Sequence, residues 1–149
     1  IVGLENARYE DTYSGGIGNS IRYLSIAPRD NTMKVKGVTN LLCAGEKSGL
    51  FVGHTEAIVT GSLAGHNAVR LDKGMKLLEL PVSIAIGDII AYANDKITTP
   101  EGLRSRFTFA GSTYFERMKE LNLYSIDKNN IKKKIDRLDL LNIFEEKLV

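Results

Sequence analysis

The spacing of apolar and polar positions divides the chain into three stretches. In residues 1–31, apolar side chains are scattered among Gly, Ser, Asn and Asp, and Gly15-Gly16-Ile17-Gly18, followed by Asn19 and Ser20, reads as a flexible turn. Short β-prone stretches flank it at Tyr9–Tyr13 and Ile21–Ile26. Met33–Lys36 alternates as a strand edge does. Asn40–Glu46 carries the apolar run Leu41-Leu42-Cys43-Ala44, closed by Gly45, which predicts a strand buried on both faces. Gly49 and Gly53 mark residues 47–53 as a loop.

Helical spacing then takes over. From His54 to about Arg70 there is no proline, and Ala57, Gly61, Ala64 and Ala68 share one face made of very small side chains. Gly61 and Gly65 each cost about 1 kcal/mol relative to Ala inside a helix. That cost predicts close approach to a neighbouring backbone, a ligand, or a sheet beneath the helix. Leu77–Leu80 reads as a short strand stopped by Pro81. Ser83 is placed to cap a helix through about Asn94, with Ile86, Ile89, Ile90 and Ala93 on one face. Thr99-Pro100 opens a short helix to about Ser105, and Phe107–Phe109 is a brief extended piece. Thr113–Glu116 fits a capping box for a helix to about Asn122. Asp127 caps a helix whose apolar face is Ile131, Ile135 and Leu138, and Leu140, Leu141, Phe144 and Leu148 make a last amphipathic turn or two. The expected fold class is α+β: a small strand-rich N-terminal part with a strand–loop–helix element, then a mostly α-helical C-terminal part. The expected division is 1–75 and 76–149, with the boundary in Asp72–Pro81.

Composition narrows the picture. The 149 residues suit one domain better than two, and 43% hydrophobic with 26% charged residues indicates neither disorder nor a membrane span. A formal charge of +2 names no partner. One cysteine excludes an internal disulfide framework and suits a reducing, cytoplasmic setting. With only His54 and His66 beside it, no metal site is expected. Cys43 reads as a buried inert thiol and His66 as a structural residue. Lys128, Lys132, Lys133, Lys134 and Arg137 make a basic helical surface that could approach RNA phosphates. Glu116, Glu120, Asp127 and Asp136 dilute it, so a solvated face is the preferred reading. The chain opens on Ile1, with no basic n-region and no cleavage signature. It is expected to be a piece of a longer protein.

The candidate chemistry lies in Thr39–Arg70. A buried strand, a glycine-containing loop and a helix of small residues make an edge suited to an anion or a cofactor, and the same arrangement also serves as a plain turn. The helix N-terminus near Gly53, His54 and Thr55 offers unpaired N–H groups and a partial positive charge. Glu46, at the strand's end, can accept hydrogen bonds from sugar or ribityl hydroxyls. Glu56 suits the helix dipole as a first-turn carboxylate. His54 is either a ligand contact or a surface and capping residue.

Thr39-Asn40-Leu41-Leu42-Cys43-Ala44-Gly45-Glu46 resembles the second FAD-binding motif of two-dinucleotide-domain flavoproteins. Extended through Lys47–Ala57 and Gly61-Ser62-Leu63-Ala64-Gly65-His66-Asn67-Ala68, it resembles the GidA and TrmFO family. Leu80-Pro81-Val82-Ser83-Ile84-Ala85-Ile86-Gly87 is similar to the Pro-x-x-x-Ala-Leu-Gly segment that follows in TrmFO. The resemblance covers about residues 36–94. It implies an FAD-dependent oxidoreductase acting in tRNA uridine modification. Residues 1–75 would be the C-terminal portion of its FAD-binding domain and 76–149 a helical C-terminal domain. Gly45 and Glu46 would face the ribityl and pyrophosphate part of FAD, and Gly53, His54 and Thr55 would set backbone amides near the isoalloxazine ring. His54 departs from the family, which has Tyr there. The Gly-x-Gly-x-x-Gly motif that binds the ADP half of FAD is absent from the sequence, so this chain would carry one wall of the site and be inactive alone, with the catalytic residues unassigned. The expected partners are a missing N-terminal FAD-binding domain, tRNA and a second copy of the chain, with no membrane. The alternative is an autonomous helical module that binds RNA or protein.

Overall fold

The structure, a computed structural model, describes residues 26–103, 105–145, 147 and 148. The glycine turn at 15–18, the β-prone stretch at 9–13 and nearly all of that at 21–26 lie outside the described residues.

Five α-helices organise the described chain: α1 His54–Asp72, α2 Ala85–Lys96, α3 Pro100–Leu103, α4 Ser112–Glu120 and α5 Lys128–Arg137, with a 3-10 turn at Gly45–Ser48 before α1. α1 buries Glu56, Thr60, Leu63, Ala64 and Asn67. These fall at i, i+4, i+7, i+8 and i+11, one stripe of a 3.6-residue helix. Leu63 meets a core of Met33, Leu50, Phe51, Leu80, Ile89 and Ile90, which Phe107, Tyr114 and Met118 complete.

The α+β expectation is overturned. Among the described residues there is no strand, only the isolated bridges Arg29↔Val35, Lys34↔Leu42 and Phe51↔Phe107. The apolar run at 41–44 shows why. The Val35 N–H donates to the Leu41 carbonyl and the Cys43 N–H to the Met33 carbonyl, both at 2.9 Å. The pairing ends there, because Met33 is left-handed at φ 71° and Gly45 at φ 65° turns the chain away. A strand buried on both faces needs its neighbours and its cover. Here residues 33–35 pair with the run on one side, and Leu41 is 49% exposed. Residues 77–80 likewise form no strand. They are held by side chains, with Asn67 Nδ2 donating to the Leu78 carbonyl (2.8 Å) and the Leu78 N–H donating to Asn67 Oδ1 (2.7 Å).

The helices follow the sequence more closely. α2 starts after Ile84, with no side-chain cap, so Ser83 does not cap it. Its glycine has a steric cause: a Cβ at Gly87 would strike the Pro81 and Leu80 carbonyls, which accounts physically for the spacing Pro81…Gly87. Thr99 Oγ1 accepts the Gly102 N–H at 3.0 Å at the start of α3. α4 begins after Gly111, which puts Thr113 inside its first turn instead of at the cap. Asp127 caps α5 as expected, accepting the Asn129 and Asn130 N–H groups at 2.8 and 3.3 Å. No residue of α5 is buried. Among the described residues no helix is long and apolar enough to cross a membrane.

Candidate functional site: the 45–48 turn and the start of α1

The turn is fastened to α1 through Gly45. Its N–H donates to Thr60 Oγ1 at 2.9 Å, and the Thr60 hydroxyl donates in turn to the Glu56 carbonyl at 2.7 Å. Ser48 Oγ donates to the Gly45 carbonyl at 2.8 Å and closes the turn. A Cβ on Gly45 would lie 3.7 Å from the Ala57 Cβ, so the turn sits directly on the start of the helix. Glu46 is half-buried within it. Gly53 is extended at the N-cap of α1, with no side chain capping the helix, and His54 and Thr55 are exposed. Gly45 and Glu46 therefore stand in a turn packed on the helix that Gly53, His54 and Thr55 begin.

Glu56 is the residue whose setting the pattern did not reveal. It is 1% exposed. Its Oε1 accepts the Phe109 N–H at 2.6 Å, across 53 residues of sequence. Its Oε2 is buried with no hydrogen-bond partner among the described residues. A Cβ at Gly53 would collide with that oxygen, so a side chain there would displace the Glu56 carboxylate. The Phe107 N–H donates to the Leu50 carbonyl at 2.7 Å, and Phe51 bridges Phe107. Residues 107–109 are thus strapped to the loop that leads into α1.

Arg29 supports the turn from beneath. It is fully buried and donates to the carbonyls of Ser48 (2.9 Å), Asp30 (3.1 Å) and Ile90 (3.1 Å), with its guanidinium 5.6 Å from the Phe51 ring centre. Burial pulls its pKa down to about 10, against the pull of Asp30, so it stays charged at neutral pH. A lone Arg between Pro28 and Asp30 carries no sequence signal for this role. The glycine face of α1 departs from expectation. A Cβ on Gly61 or Gly65 would meet nothing within 4 Å, so neither is placed against a close neighbour among the described residues. Cys43 is half-buried, and burial raises its thiol pKa despite Arg29 and Lys47. His66 Nε2 accepts from Arg70 Nε at 2.8 Å and its ring meets Phe144 edge-on. Among the described residues no cluster of His, Cys, Asp or Glu could hold a metal ion.

On the far side of α2 is a second polar centre. Asp88, 4% exposed, takes Arg117 Nε and Nη2 at 2.9 and 2.8 Å and the Tyr114 hydroxyl at 2.8 Å. Arg117 stacks over Tyr92 at 4.1 Å. Burial, then the bond to Asp88, drives the Tyr114 phenol well above its ordinary value, and the same bond raises Arg117.

A glycine turn carrying a carboxylate is thus packed on a helix N-terminus that no side chain caps. The family model of glucose inhibited division protein A matches residues 1–76, and the chain belongs to that family. It is 36% identical over 95 residues to a methylenetetrahydrofolate--tRNA-(uracil-5-)-methyltransferase TrmFO of Streptococcus sanguinis, covering 62% of this chain and 20% of that protein. Against the TrmFO of Enterococcus faecalis it is 35% identical over 105 residues, 68% of this chain and 22% of that one. Against that of Prochlorococcus marinus it is 38% identical over 64 residues, 43% and 14%. The chain thus spans about a fifth of the length of the first two relatives. No solved structure matches it.

Proposed function

We propose that the chain is part of a longer tRNA-modifying flavoenzyme, in which residues 45–55 form one wall of an FAD site. The observation that carries this reading is the seating of the Gly45–Ser48 turn on an α1 N-terminus that no side chain caps. The residues fit the group. The α1 N-terminus favours a carbonyl or an anion. Glu56 accepts the Phe109 N–H with one carboxylate oxygen, and its other oxygen lies against Gly53. Gly53, His54 and Thr55 would hold the flavin ring's polar edge through backbone amides, and Glu46 would accept hydrogen bonds from ribityl hydroxyls. FAD, when bound, supplies two-electron transfer. The family membership and the activity for which the relatives are named, a uracil methylation of tRNA that uses methylenetetrahydrofolate, support tRNA uridine as the substrate class and a cytoplasmic setting.

The test is the visible spectrum of the full-length protein, purified without added flavin, beside its Glu46→Ala variant. The reading expects flavin bands in the parent, FAD released on heating, and lower flavin content in the variant at unchanged melting temperature. A colourless parent that takes up no added FAD sinks it.

A further inference from the structure

The chain carries a second candidate surface, remote in sequence from the 45–55 turn. α2, the end of α4 and α5 enclose an open groove of about 570 Å³. Ile84, Ile86, Met118, Leu123, Ile131 and Ile135 give it an aliphatic lining. Leu121, Tyr124, Ile126 and Ile131, in the stretch leading into and along α5, are 46%, 49%, 83% and 44% exposed. Four large apolar side chains left open within eleven residues, beside a groove, mark an interaction surface.

Charge says what kind of partner fits. α5 carries five cations, Lys128, Lys132, Lys133, Lys134 and Arg137, against the single carboxylate Asp136. On the helical repeat, Lys134 and Arg137 fall on one side of the Ile131–Ile135–Leu138 stripe and Lys128 and Lys132 on the other. Lys134 and Asn130 themselves line the groove. An apolar cleft with Lys134 in its lining, on a wall formed by a helix that carries four further cations, is complementary to a helix with aliphatic residues on one face and carboxylates beside them.

Two other polyanions fit less well. A bilayer would need α5 to turn its apolar stripe outward, whereas Ile135 and Leu138 pack against the core. Single-stranded RNA prefers aromatic platforms for its bases. Here the lining is mainly aliphatic, and Tyr124 already meets Phe115 edge-on at 4.9 Å.

We infer that the groove between α2, α4 and α5 receives an acidic amphipathic helix of a partner protein, anchored by aliphatic side chains and flanked by the cations of α5. The test is fluorescence anisotropy of this chain with four labelled probes. The first is an 18-residue helical peptide with Leu at i, i+3, i+4 and i+7 and Glu elsewhere. The others are its scrambled isomer, oligouridylate, and phosphatidylserine vesicles. The acidic helix should bind most tightly. Ile131→Glu, at an exposed position, should weaken it about tenfold. Lys134→Glu should weaken it and flatten its salt dependence. Tighter binding of oligouridylate or vesicles, equal binding of the scrambled peptide, no binding, or indifference to Ile131→Glu would each overturn the inference. So would a dimer that light scattering detects and Ile131→Glu dissolves, because a second copy would then own the groove.

Discussion

α1 and α5 are both amphipathic, yet they are held in different ways. α5 shows the cleaner separation of apolar and charged positions, and none of its residues is buried. α1 has the less regular pattern, and five of its residues are buried, three of them polar: Glu56, Thr60 and Asn67. Each of the three makes a hydrogen bond to backbone outside the helix, at Phe109 for Glu56, Gly45 for Thr60, and Thr32 and Leu78 for Asn67. The contrast shows that in this chain hydrophobic periodicity forecasts that a helix forms, whereas polar side chains reaching distant carbonyls and amides decide which helix is gripped.

The sharpest way to break that contrast is Arg29→Ala. It leaves the Ser48, Asp30 and Ile90 carbonyls without their donor, at a cost of about 4 kcal/mol in urea unfolding. A loss below about 1 kcal/mol would show that the grip lies elsewhere. Gly87→Ala should follow at about 3 kcal/mol, because its Cβ would meet backbone carbonyls that cannot yield as a side chain would.

Tyr114 offers a pH-dependent version. Its folded pKa lies above the ordinary value of 10, so the unfolded chain loses the proton first. Stability should therefore fall as pH rises above 10, by up to about 1.4 kcal/mol per unit from this group. Tyr114→Phe should remove that increment, as read from melts at pH 9 to 11. On the looser side, Asp127→Ala should cost α5 about 1 kcal/mol, seen as faster amide exchange within α5 and little change in the global melt. A large global shift would erase the contrast between the two helices. The smallest effect has the opposite sign: Gly61→Ala, with open space around its Cβ, should stabilise α1 by up to about 1 kcal/mol in thermal melts.

The helices were legible in the sequence because their signals are local: the Asp127 cap, Thr99-Pro100 and the absence of proline from 54 to 70. The strand expected at 40–46 was not, because an apolar run states what it would bury and not whether neighbours exist on both sides. Gly45 and Gly53 were legible as the ends of the run and of the loop, and the motif led to the family. Arg29 escaped notice and Glu56 was read only as a first-turn carboxylate, for a common reason. Each acts through a partner at least 19 residues away, Ser48 and Ile90 for Arg29 and Phe109 for Glu56, and no window of sequence brings such pairs together.

The Arg29 fork also has a temporal meaning. Its three carbonyls come from residues 30, 48 and 90, so its bonds can all form only after the turn and α2 have met. A guanidinium desolvated that late contributes little to the folding barrier and much to the unfolding barrier. In stopped-flow chevrons, Arg29→Ala should therefore refold at nearly the parent rate and unfold far faster, which makes this one side chain the chief brake on how quickly the folded chain comes apart.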